Sequence, residues 1–140
     1  MSTNIRPEIS SKNKYWIDKH RYYELKHFCL QYSSWKKAYS AINELSVSLP
    51  MIERIYSSSN IPVDLTAKYA IMKACYAERI KMIEKAAMEA DKDLYVYILK
   101  GVTEGLSYTY LKSRLEIPCS RDTYYDRYRR FFWLLDNLRK

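Results

Sequence analysis

Apolar residues recur along most of this chain at spacings of three and four, the repeat of a helix with one face turned inward. The first such stretch follows Asp18, a side chain suited to accept from the free N–H groups at a helix start, and runs to about residue 32. Tyr22, Leu25, Cys29 and Tyr32 form its stripe, which Tyr23 and Phe28 widen. A second helix is predicted from residue 35 to about 45, capped by Ser33 or Ser34, with Trp35, Ala38, Tyr39 and Ile42 on one side. Residues 46–64 contain Pro50, three consecutive serines and Pro62, and are expected to form the main loop with a short helical turn at 51–56.

The longest pattern follows Asp64 and covers residues 65–90. Tyr69, Tyr76, Ile83 and Ala90 recur every seven residues, with Met72, Ile80 and Ala87 between them. A helix of that length spans roughly 40 Å. A seam so long is covered either by the first two helices or by its mate in a homodimer. A fourth helix begins at Asp91 or Asp93 and runs to about Glu104, with Leu94, Tyr97, Ile98 and Val102 inward and Gly105 as its left-handed stop.

The segment from Gly105 to Leu138 has the order of parts that a helix-turn-helix requires. Ser107 caps a short helix whose inward residues are Leu111 and Leu115, Ile117 plugs the turn, and Pro118 prevents continuation. Ser120 caps the next helix, and Asp122 lies in its first turn where the dipole favours a negative charge. Tyr124, Tyr128, Phe131 and Leu135, spaced four, three and four, form a buried stripe. The opposite face carries Arg121, Tyr125, Asp126 and Arg129, with Arg127 and Arg130 at its edges.

Composition fits this reading. Only 2 glycines and 4 prolines interrupt 140 residues, too few for a sheet of short strands. The fold class expected is all-α: a flexible arm over residues 1–13, a helical bundle with a long central helix over 14–104, and a helix-turn-helix over 105–140 packed on it as one unit. The formal net charge is +8. Residues 1–37 carry 8 Lys or Arg against 3 Asp or Glu, residues 38–111 carry 8 against 9, and residues 112–140 carry 8 against 4. Both ends are basic and the centre is neutral.

A basic helix-turn-helix is built to hold double-stranded DNA. The first turns of its second helix present side chains to base edges while neighbouring cations hold phosphates. Ser120, Arg121, Asp122 and Tyr125 are the candidates for bases. Lys112, Arg114, Arg127, Arg129 and Arg130 are the candidates for phosphate.

The run Gly105-Leu106-Ser107-Tyr108, then Leu111 and Leu115-Glu116-Ile117, then Ser120 through Arg127, resembles region 4 of sigma-70-type factors. It is most similar to the sigma-like regulators of phages and prophages, of the RinA and ArpU late-transcription type. The resemblance covers about the last 40 residues. It implies regulation of late phage genes by binding promoter DNA, with RNA polymerase as a further partner.

Other classes fit less well. No glycine-rich phosphate loop, nucleophile elbow or His/Cys metal cluster is present, so neither enzyme activity nor a cofactor is expected. Cys29, Cys75 and Cys119 are far apart and odd in number, as reduced thiols would be. The polar start and the lack of an apolar run of about 20 residues point to a cytoplasmic protein of a bacterial host, without a membrane partner. Two alternatives stay open. A phage small terminase subunit also joins a helix-turn-helix to a helical oligomerisation segment. A protein-binding module is the other, because residues 14–39 hold more aromatic side chains than a short helix buries. Trp16, Tyr23 and Trp35 are its candidate anchors.

Overall fold

Three helices of this chain begin at side-chain caps and two stop where the backbone turns left-handed. In a computed structural model describing residues 13–56 and 65–140, the helices are α1 (Lys19–Leu30), α2 (Tyr32–Tyr56), α3 (Leu65–Ala90), α4 (Tyr95–Glu104), α5 (Tyr108–Leu115) and α6 (Arg121–Leu138). The described residues contain no strand. Asp18, Ser107 and Ser120 each accept from a backbone N–H two or three residues on, as side chains at helix starts do. Gly105 ends α4 at φ 68° and Glu116 ends α5 at φ 54°, each closing on a carbonyl in the helix behind it. Pro118 therefore lies beyond a stop already made by Glu116.

Three boundaries differ from the sequence expectation, one being the start of α4, which lies at Tyr95 and not at Asp91 or Asp93. The second helix starts at Tyr32, directly after Gln31, so Ser33 and Ser34 lie inside it and cap nothing. At the break the Gln31 N–H turns to Phe28 O at 3.2 Å, and its side-chain amide donates to His27 O at 3.2 Å. The third difference is that residues 46–56 are helical, Pro50 included. A proline removes one helical hydrogen bond but does not end the helix where residues on both sides keep helical backbone. Residues 1–12 of the expected arm, residues 57–64 of the expected loop and the Asp64 cap lie outside the described residues.

The chain divides into two compact units, and the division runs through α3 between Ile80 and Lys81 rather than at residue 105. The expected bundle over 14–104 is thus split. The first unit joins the chain up to Tyr32 to Lys81–Lys140. Within it α6 lies against α1 and α4, and α4 also packs on α5. Leu25, Cys29, Ile83, Ile98, Leu111, Phe131 and Phe132 are fully enclosed there. Tyr22 of α1 meets Phe132 edge-on at 5.1 Å, and its hydroxyl bonds that of Tyr128 at 2.6 Å. The turn before α1 is ordered by Asn13, whose side chain accepts from Tyr15 N at 2.9 Å, and Tyr15 packs on Trp133.

The second unit is Ser33–Ile80. Trp35 and Ile42 are buried in it. The Arg79 guanidinium lies 5.5 Å from the Trp35 ring centre and the Lys73 ammonium 5.3 Å from that of Tyr39, which sets one side of α3 against α2. No residue of 65–80 is fully buried.

Candidate nucleic-acid interface

The pair α5–α6 is a corner closed by one buried side chain and bonds across the turn. Ile117 is fully buried between the helices, and its N–H closes on Leu111 O at 3.1 Å. Tyr108, the first residue of α5, donates its hydroxyl to Cys119 O at 2.6 Å, tying the helix start to the far side of the turn. Ser120 then receives Thr123 N at 3.2 Å and opens α6. These bonds close the turn and set the two helices at one corner.

On this corner the candidate residues separate into three groups. Lys112, Arg114, Ser120 and Asp122 are exposed. Lys112 and Arg114 stand in the last turn of α5, where the helix dipole favours cations. Neither has an acidic partner among the described residues. Arg121 is half-exposed; its guanidinium lies 5.5 Å from the Tyr108 ring centre and donates to Thr109 Oγ1 at 3.3 Å. Those contacts lay the Arg121 side chain back across the start of α5.

Of the three other arginines of α6 named as phosphate candidates, two are committed to the protein itself. Arg127 pairs with Asp91 at 3.0 Å and with Asp126 at 2.5 Å. Arg130 donates to Glu89 O at 3.4 Å and to the Tyr15 hydroxyl at 3.2 Å. Arg129 is half-buried, and its Nε is enclosed with no hydrogen-bond acceptor among the described residues. A guanidinium held by a carboxylate or a carbonyl must lose that partner before it can hold a phosphate, so Arg127 and Arg130 are poorer phosphate donors than their sequence positions suggest.

Tyr125 needs correction. It is only 6% exposed, and its ring packs edge-on against Tyr124 at 5.1 Å and Tyr128 at 5.7 Å. Its hydroxyl accepts from Tyr108 N at 3.4 Å. The side expected to face bases is covered because α5 begins on it. Trp35 is corrected in the same way: at 6% exposed it is core, not a partner anchor. Trp16 is 41% exposed and Tyr23 is half-buried.

Two residues of the corner were missed from sequence. Thr109 and Tyr110 are both exposed on α5, Tyr110 to 46%. The signal was present in the helical repeat, since turning Tyr108 and Leu111 inward leaves 109 and 110 outward.

The chain matches no family model, no curated protein and no solved structure.

The electrostatics of the interior are those of a packed aromatic centre. Burial pushes the Tyr124 and Tyr128 phenols upward, beyond the physiological range, so both stay protonated. Burial also pushes up the Asp91 carboxyl, but the bond from Arg127 and the N–H groups of Asp93 and Leu94 outweigh it and hold the group below its ordinary value. No group of three or more metal-ligating side chains occurs among the described residues. No described helix is long and apolar enough to cross a membrane.

Proposed function

We propose that this chain is a DNA-binding protein that reads duplex DNA with α5 and the first turn of α6, and that it regulates transcription of phage or prophage genes. One observation carries the DNA reading. Lys112, Arg114 and Arg121 stand without acidic partners on a corner whose two helices are capped, plugged and bonded across the turn. Such cations release counterions on meeting a phosphate backbone without first breaking an internal ion pair. Arg121, Thr109, Ser120 and Asp122 are the side chains assigned to the groove, and Lys112 and Arg114 those assigned to phosphates. The resemblance to sigma region 4 supports the transcriptional role and RNA polymerase as a second partner.

The test is fluorescence anisotropy of a labelled random duplex titrated with the full chain at several salt concentrations. The comparison is a Lys112→Ala/Arg114→Ala/Arg121→Ala variant with unchanged circular dichroism. The native chain is expected to bind with a steep log–log salt dependence. Each lost phosphate contact should lower that slope by about 0.9. Absence of binding at low salt, or equal binding by both proteins, removes the DNA reading.

A further inference from the structure

The outward side of α3 carries a short seam that the fold leaves uncovered. Lys68, Ile71, Cys75 and Glu78 follow one another at spacings of three, four and three, and all four are exposed, Ile71 to 66%. That spacing places them in one line on a helix, as the inward positions of a coiled coil are placed. The α2 side of α3 is centred elsewhere: Lys73, which contacts Tyr39, lies opposite the line, and Arg79 reaches Trp35 from its edge. Ala67, Ala70 and Ala74, also exposed, flank the line with short side chains that let another backbone come close. The heptad stripe of Tyr69, Tyr76 and Ile83 is not this seam. Ile83 is fully buried and the two tyrosines half-buried within the chain.

The seam is self-complementary. Its four positions are symmetric about residue 73, so reversing the helix exchanges Lys68 with Glu78 and Ile71 with Cys75. We propose that α3 pairs antiparallel with α3 of a second copy of this chain, about a two-fold axis at residue 73. Lys68 then faces Glu78 of the partner subunit at each end, and Ile71 packs on Cys75 of the partner subunit between them. A parallel pairing sets lysine on lysine and glutamate on glutamate, which costs free energy where the antiparallel one gains it. A two-fold interface requires one patch to complement itself. This seam meets that requirement, which docking of an unrelated helix does not impose.

The line from residue 68 to 78 spans about 15 Å. That is short for an interface between permanently associated subunits, so the pairing exchanges with free chains and depends on concentration.

Sedimentation equilibrium of the full chain at low salt tests this directly, without DNA. The average mass is expected to rise toward that of two chains as concentration increases. Lys68→Glu or Glu78→Lys alone should weaken the association about tenfold or more, because each change creates two like-charge contacts. The Lys68→Glu/Glu78→Lys double variant should restore it. An Ile71→Cys chain should form a disulfide-linked dimer through Cys75 of the partner subunit under mild oxidation, and adding Cys75→Ala should abolish that product. All these positions are exposed, so circular dichroism should not change. A single-chain mass at every concentration, a larger ring, or a double variant no tighter than the single ones overturns the proposal.

Discussion

The hydroxyl of Tyr124 occupies the space that a side chain at Gly101 would need. Gly101 lies in the interior of α4, where glycine costs about 1 kcal/mol relative to alanine. It is kept there by α6: a Cβ on Gly101 would overlap the Tyr124 hydroxyl oxygen, while Cζ of the same ring stands at an acceptable 3.4 Å. Tyr124 is fully buried, and its hydroxyl has no hydrogen-bond partner among the described residues. Gly101→Ala is therefore expected to destabilise the chain by about 1–2 kcal/mol despite its better helix propensity. Tyr124→Phe should be nearly neutral, because it deletes an unpaired buried hydroxyl. In the Tyr124→Phe background the sign should reverse, and Gly101→Ala should stabilise by about 0.5–1 kcal/mol. Urea denaturation of the four proteins measures the coupling, and additive effects would show that the two residues do not compete for one space.

Asp91 joins two tasks that are separate in the sequence. Its Oδ1 accepts from Asp93 N at 2.9 Å and Leu94 N at 3.0 Å, turning the chain from α3 toward α4, while Oδ2 holds Arg127 of α6. Arg127→Ala is expected to cost about 1 kcal/mol, a figure kept low because the guanidinium is partly exposed. Asp91→Ala should cost about 2 kcal/mol, since the backbone bonds go with it. The folded carboxyl lies below its ordinary value of 3.8, so its contribution is present above that pH and is lost as pH falls through the lower folded value. Thermal melts taken downward from pH 5 should show the native chain losing more stability than Arg127→Ala. Parallel loss in both proteins would place the acid sensitivity at another group.

What the sequence made legible was local. Asp18, Ser107, Ser120 and Gly105 act on backbone groups within a few residues, and each stands where its chemistry placed it. The single buried stripe read for α6 was too narrow, because Tyr125 and Phe132 are buried beside it. A helix rich in Tyr and Arg hides its inward sides from a periodicity argument, since these side chains bury their stems and keep a polar tip. Apart from Asp126 beside Arg127, the acceptors of Arg127 and Arg130 lie far off in sequence, at Asp91, Glu89 and Tyr15, and no spacing rule within α6 reveals them. Long-range pairing is what redrew the candidate interface.

The two tryptophans of the aromatic N-terminal region are expected to part company on substitution. Trp35→Ala should cost about 3–5 kcal/mol, as removal of a buried aromatic does, and should lower the melting temperature clearly. Trp16→Ala should cost much less, because 41% of that residue is in solvent. A larger loss at Trp16 than at Trp35 would reverse this assignment.

Arg130 and Lys112 offer the sharpest separation of a structural cation from a binding one. Arg130 bridges the end of α3, through Glu89 O, and the turn before α1, through the Tyr15 hydroxyl. Lys112 is exposed and has no ion-pair partner among the described residues. Removing Arg130 takes one donor from Glu89 O and one from the Tyr15 hydroxyl, so Arg130→Ala is expected to destabilise by about 1 kcal/mol. It should leave the salt dependence of DNA binding close to native. Lys112→Ala should do the opposite: stability within about 0.5 kcal/mol of native, as for a surface change, and a log–log salt slope lower by about 0.9. Denaturant titration and anisotropy on the same two variants give the answer. If Arg130→Ala changes the slope as much as Lys112→Ala does, then Arg130 leaves its internal partners on binding, and the contact surface extends along α6 beyond its first turn.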